Sequence, residues 1–203
     1  MLFRSNMGSL GFLTETRVDD LYKVAGLTLQ GKMEFQPRSM LRIDVHRSGR
    51  VQSSHLALND AVLERGANPH LINIEIRCRK HLVSELKADA LIISSPTGST
   101  AYNLEAGGPI LHPEVRAIVT TPVCSHSLTS RPLIFSDDQQ LCFRVRLREN
   151  NVVLTVDGVN RGEISFDDEV IVERSKFDHY VIRRPSSNFF DLLRAKLKFG
   201  ERN

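Results

Sequence analysis

Cysteine is scarce in this chain of 203 residues, and Cys78, Cys124 and Cys142 are odd in number and widely spaced. That fits neither a disulfide framework nor a CxxC metal knuckle, and it suits thiols kept in a reducing compartment. Cys124 and His126 stand close together, but two ligands without nearby partners make a poor zinc site. Long apolar runs are missing too. The longest, such as Ala90-Leu91-Ile92-Ile93, fall far short of a bilayer span. The opening Met1-Leu2-Phe3-Arg4-Ser5 has no signal-peptide layout. Together these absences predict a soluble, cytoplasmic protein. A large excess of one charge is also lacking: 27 Lys and Arg stand against 24 Asp and Glu, a net +3 with His neutral. That is too mild for a dedicated nucleic-acid binder and suits a receiver of small anionic molecules. No P-loop, G-x-S-x-G or H-E-x-x-H pattern occurs, and no internal repeat.

What is present is an ordinary globular balance, 41% hydrophobic and 25% charged, long enough for one large domain or two small ones. From Thr14 to Leu29, Val18, Leu21, Tyr22, Ala25 and Leu29 fall at helical spacing, with Thr14 or Thr16 as cap. After Pro37 the period becomes two. Leu41, Ile43 and Val45 alternate with polar residues, and Ser48-Gly49 offers a hairpin turn. The alternation returns at Ile72 to Cys78 and at Leu141 to Leu147, turning at Glu149-Asn150-Asn151 into Val152 to Val156. Gly158 to Gly162 reads as a further turn into Ile164-Ser165-Phe166, followed by short strands at Glu169 to Val172 and Tyr180 to Ile182. The fold class this predicts is mainly β, an antiparallel sandwich. Near the end, Ser186, Ser187 or Asn188 caps a helix with the apolar stripe Phe189, Leu192, Leu193 and Leu197, stopping at Gly200.

Chemistry concentrates in three places. The stretch Ala88 to Asn103 runs an apolar strand into Ser94-Ser95-Pro96-Thr97-Gly98-Ser99-Thr100-Ala101-Tyr102, with Gly107-Gly108-Pro109 behind. Its hydroxyls and amides can read the edge of a base and Tyr102 can stack on a ring. The same residues also make an ordinary polar turn after a buried strand. Asn59-Asp60, placed at the end of an apolar strand, matches the paired donors and acceptors of vicinal ribose hydroxyls, and equally a plain turn. Asp157-Gly158 closes a strand, where a hairpin is the usual meaning. His126, in the hydroxyl-rich Pro122 to Pro132 segment, has no partner nearby in sequence for acid–base work.

Taken in order, these segments resemble the NAD kinase family. Asn6 with Gly8-Ser9-Leu10-Gly11-Phe12-Leu13-Thr14-Glu15 is similar to its N-x-G-x-L-G-F-L-T-E segment. Leu58-Asn59-Asp60 is similar to its Asn-Glu/Asp pair, and Ser95 to Tyr102 with Gly107-Gly108-Pro109-Ile110 to its substrate loop. His126-Ser127-Leu128-Thr129-Ser130-Arg131-Pro132 and Val156-Asp157-Gly158 follow in the family's order.

The resemblance implies ATP-dependent phosphorylation of the adenosine 2′-hydroxyl of NAD to give NADP, with a divalent metal, magnesium, accompanying ATP. It implies a homo-oligomer with shared sites, and a β-sandwich domain paired with a Rossmann-like N-terminal domain. Carried over, Asn59 and Asp60 would hold ribose hydroxyls. Thr97, Thr100, Ala101 and Tyr102 would line the adenine and nicotinamide-side pockets, with Asn103 and Glu105 also among the substrate-binding residues. Asp89 would reach the site across a subunit interface, His70 and Lys87 stand at ligand-contacting positions, and Asp157 would sit near the phosphate-bearing ribose. Glu105 departs from the family, which commonly has a small residue there. The family's Gly-Gly-Asp-Gly loop with the catalytic aspartate would lie ahead of Asn6, where five residues stand. The expectation is therefore an incomplete kinase with no catalytic residue of its own, or else a non-catalytic NAD(P)-binding or assembly module. On that reading residues 1–35 are a remnant of the N-terminal domain, 36–183 the NAD-binding sandwich, and 184–203 a helix whose apolar stripe is left bare.

Overall fold

The computed structural model describes residues 12–13, 16–67, 70–146, 152–185 and 188–198. Two six-stranded antiparallel sheets form the body of the molecule. The first has the order β2 (Arg50–Ala57), β1 (Glu34–Arg47), β12 (Glu169–Arg183), β9 (Leu141–Val145), β4 (Ile72–Cys78), β5 (His81–Ala88). The second has the order β11 (Val159–Ile164), β10 (Val152–Val156), β3 (Asp60–Arg65), β6 (Ala90–Ser94), β7 (Ala117–Val123), β8 (Leu133–Ser136). Alternation explains the layering. Leu41, Ile43 and Val45 of β1, Ile72, Ile74 and Ile76 of β4, and Leu141, Phe143 and Val145 of β9 turn inward. They meet Ala61 and Leu63 of β3, Leu91 and Ile93 of β6, and Val152, Leu154 and Val156 of β10 in one core.

The hairpin read at Ser48-Gly49 joins β1 to β2, with both residues in the left-handed region (φ 49° and 74°) that a two-residue turn needs. Four strands escape the sequence reading: β3, β5, β7 and β8. The second Gly-rich turn is shorter than expected, because Asp157-Gly158 alone makes it and β11 begins at Val159. The two late strands are one, β12, running 15 residues without a break. The turn read at Glu149 to Asn151 lies outside the described residues.

By its internal contacts the chain divides into two compact units, one of the residues up to Pro37 with those from Tyr180 onward, the other Arg38–His179. In the first unit, a 3₁₀ turn at Val18–Asp20 leads into α1 (Leu21–Leu29) with no side-chain cap. Its covered face is Val24 and Thr28, not the stripe expected from spacing, and Tyr22 and Leu29 are exposed. Thr28 fits because its hydroxyl donates to the Val24 carbonyl at 2.7 Å. The terminal helix α3 (Phe189–Leu197) is capped by Asn188, whose Oδ1 accepts the Asp191 N–H at 2.9 Å. Its stripe is not bare. Phe189 (6% exposed) and Leu192 (8%) are covered, and the Phe189 ring lies 6.3 Å from that of Phe12. Among the described residues no helix is long and apolar enough to cross a membrane.

Candidate functional site

Between β2 and β3 the chain leaves one sheet for the other, and Leu58-Asn59 is the crossing. Asn59-Asp60 therefore opens an apolar strand and does not close one. Two elements hold this crossing. From the β10–β11 turn, the Asp157 carboxylate accepts the N–H groups of Leu58, Asn59 and Asp60 at 2.7, 2.8 and 3.1 Å. From the loop after β6, Ser95 donates its N–H to the Asn59 carbonyl at 2.8 Å and its hydroxyl to the Leu58 carbonyl at 2.5 Å. The Ser95 oxygen in turn accepts the Gly98 N–H at 3.1 Å. Only glycine fits at 98. A Cβ there would stand 2.1 Å from the Asn59 carbonyl oxygen.

The loop continues through a 3₁₀ turn at Gly98–Thr100 into the short α2 (Tyr102–Glu105). Asn103 holds it down. The residue is wholly buried; its amide donates to the carbonyls of Ser99 and Pro109 and accepts from Thr121 Oγ1 at 2.6 Å. Both N–H donors are thus spent inside the protein, and Asn103 is not among the residues that line the pocket described below. Gly108 is small for the same reason, as a Cβ would meet the Asn103 side chain at 2.2 Å.

What these elements frame is a pocket of about 370 Å³ on the outer face of the second sheet, lined by Asn59, Asp60, Val62, Glu64, Ala101, Tyr102, Thr155, Asp157 and Gly158. Asp60 is 6% exposed, and its carboxylate has no hydrogen-bonding partner among the described residues. Burial, and secondly the charge of Asp157, push it up to about 6. Burial also raises the Tyr102 phenol, reinforced by Glu64, Glu105, Cys124 and Asp60. Across the floor Thr155 donates to Glu64 Oε1 at 2.7 Å. The lining carries three carboxylates and no basic side chain. It offers an amide, a carboxylate and an aromatic face side by side, a set that can read a diol and stack on a planar ring.

Of the residues read from sequence, Asn59, Asp60, Ala101, Tyr102 and Asp157 come together here. Thr97 and Thr100 belong to the same loop without lining the pocket. The Thr97 hydroxyl is buried with no hydrogen-bonding partner, and that of Thr100 donates to the Thr97 carbonyl at 3.2 Å. Glu105 is exposed at the end of α2 and acts on Tyr102 through its charge. Asp89, Lys87 and His70 lie elsewhere. The β3–β6 register pairs Asp60 with Ser94 and Glu64 with Ala90, so Asp89 sits at the far end of β3, where Arg65 Nε meets it at 3.1 Å. Lys87 is on the edge strand of the other sheet, at a second pocket of about 260 Å³ shared with Ser127, Thr129 and Arg131. His70 is exposed in the loop between β3 and β4. Sequence reading missed Glu64 and Thr155. Extending a period of two from Asp60 would have put Val62 and Glu64 on the pocket face.

An antiparallel sandwich with a hydroxyl-rich loop folded over the outer face of one sheet defines the class. Residues 58–184 match the family described as the ATP-NAD kinase C-terminal domain. An NAD kinase of Bdellovibrio bacteriovorus is 52% identical over 98% of this chain, and one of Geobacter sulfurreducens 42% identical over 97%. The chain spans 65% of the Bdellovibrio protein's length and 69% of the Geobacter protein's. A crystal structure of yeast NADH kinase complexed with NADH superposes with a TM-score of 0.89 at 29% identity, covering 97% of this chain and 58% of that one. An NAD kinase from Archaeoglobus fulgidus in complex with ATP shares the fold, with a TM-score of 0.73 at 21% identity over 96% of this chain and 72% of that one. The chain belongs to the NAD kinase family.

Proposed function

We propose that this chain carries the dinucleotide-binding part of an NAD kinase, and that the protein so formed transfers a phosphoryl group from ATP to the adenosine 2′-hydroxyl of NAD. One observation carries the reading. Asp60 is a covered carboxylate without a hydrogen-bonding partner, and beside it the Asn59 side-chain amide is equally unspent. Burying an unpaired carboxylate is unfavourable unless something else occupies it. The two hydroxyls of a ribose supply donors and acceptors for both groups. Tyr102 would stack on the attached ring, and Glu64 with Thr155 would close the floor. Asp89 would contribute only from a second copy, since within one chain it faces away from the pocket at the other end of β3. Magnesium would travel with the ATP phosphates. No cluster of three or more His, Cys, Asp or Glu suited to a metal occurs among the described residues.

The test is calorimetry of the chain with NAD. Wild type should bind, and Tyr102→Ala should weaken binding by about 1–3 kcal/mol, the scale of a lost base–aromatic stack. Equal affinities would remove the stacking role, and no binding by wild type would remove the reading altogether. Incubation with ATP, magnesium and NAD, followed for NADP, separates a kinase from a binding module.

A further inference from the structure

One carboxylate at the β10–β11 turn is spent entirely on the backbone of another element. Asp157 Oδ2 takes the Leu58 N–H, and Oδ1 takes those of Asn59 and Asp60. The Asp157 N–H returns to the Asp60 carbonyl at 3.0 Å, so the hold is reciprocal. Three successive amides can converge on one carboxylate only if the chain curls around it, and it does so where it crosses between the sheets. The presenting turn is tight, with Asp157 at φ 46° and Gly158 at φ 76°. Aspartate is among the few side chains that tolerate that region. The Asn59 side chain, in contrast, makes no hydrogen bond among the described residues. No hydrogen bond of its own fixes its direction.

We propose that Asp157 is a positioning residue, a carboxylate clamp that fixes the Leu58–Asp60 backbone so that the Asn59 amide and the Asp60 carboxyl face the pocket together. Ligand is then read by Asn59 and Asp60, and Asp157 acts through them. The inference rests on the reading of that pair as the diol-binding one, but the clamp itself belongs to the free chain and is testable without ligand. Its charge has a second consequence. After burial, Asp157 is the cause that raises the Asp60 carboxyl, so removing the clamp's charge must move the Asp60 titration to lower pH.

Asp157→Asn keeps the size, loses one acceptor and turns an NH₂ group toward backbone donors. Gly158→Ala strains the same turn and keeps the carboxylate. Both variants of the full chain are compared with wild type by NMR, following amide exchange at Leu58, Asn59 and Asp60 and the Asp60 carboxyl titration, with NAD binding measured alongside. In Asp157→Asn the three amides should exchange about tenfold faster or more, as befits lost charge-assisted hydrogen bonds. Asp60 should titrate at lower pH, and NAD should bind about tenfold more weakly. Gly158→Ala should leave the Asp60 titration in place. Unchanged exchange and titration in Asp157→Asn would overturn the clamp, as would Gly158→Ala reproducing both effects. If wild type bound no NAD while the exchange and titration behaved as expected, the clamp would stand and the diol-binding reading would fall.

Discussion

A covered carboxylate costs stability once it ionises, and Asp60 bears that cost with Asp157 beside it. Its carboxyl sits at about 6, against about 3.9 in an unfolded chain. Between those values the folded chain holds a proton that the unfolded chain has released. Stability therefore falls as pH rises through that window and stays lower above it, by on the order of 2–3 kcal/mol. Asp60→Asn removes the charge. It should melt above wild type at about pH 7.5 and close to wild type at about pH 4.5, while binding NAD more weakly. The same melting difference at both pH values would show that the Asp60 charge is not the source. Residues of this kind were partly legible. Asn59, Asp60 and Tyr102 lie in local runs that read equally as turns, and the order of several such runs along the chain is what singles them out. Asp157 reads correctly as a hairpin, but its side chain is aimed by the β3–β10 register at amides 97 to 99 residues away, which no local pattern reveals. The burial of Asn103 is hidden for the same reason, since it depends on Thr121 in another strand.

At the scale of elements, strands with one covered and one wet face were the readable ones. β9 and β10 show strict alternation of burial. β3 does not, because its first four residues are all buried, Ala61 and Leu63 in the core and Asp60 and Val62 under the site loop. A strand covered on both sides loses the period that would identify it. In α1 the heptad-spaced Tyr22 and Leu29 suggested the wrong face, and nothing in the spacing alone favours Val24. Glycine separates the two environments. Gly98→Ala pushes a Cβ into the Asn59 carbonyl, backbone that the Asp157 clamp keeps from yielding. It should cost about 1–3 kcal/mol or more and weaken NAD binding. Gly26, inside α1, has open space around it, so Gly26→Ala should stabilise the helix by about 0.5–1 kcal/mol. Denaturant titrations of the two variants check both signs. A neutral Gly98→Ala would mean that the loop is free to move off the crossing.

At the scale of the whole molecule, the chain divides into two compact units. The sandwich core draws only on residues between Leu41 and Val172, whereas Phe12, Val24, Phe189 and Leu192 belong to the unit built from the two ends of the chain. The family resemblance implies a terminal stripe left bare where the N-terminal domain is missing. The covered Phe189 and Leu192, the Phe12–Phe189 contact and the Asp20–Arg184 ion pair at 3.0 Å reverse that expectation. The exposed ion pair contributes little. Each buried side chain, though, is worth about 1.5–3 kcal/mol, so losing two removes roughly 3–6 kcal/mol from this unit. Deleting everything after Arg184 should therefore loosen the rest of this unit, α1 included, and bare the Phe12 ring, lowering solubility. Hydrogen exchange locates the damage. Protection should drop in α1 and persist in β4 and β9, whose inward side chains lie in the sandwich core. If α1 kept its protection, the terminal helix would not be what holds α1 in place. If β4 and β9 lost theirs, the terminal helix would be a support of the sandwich itself.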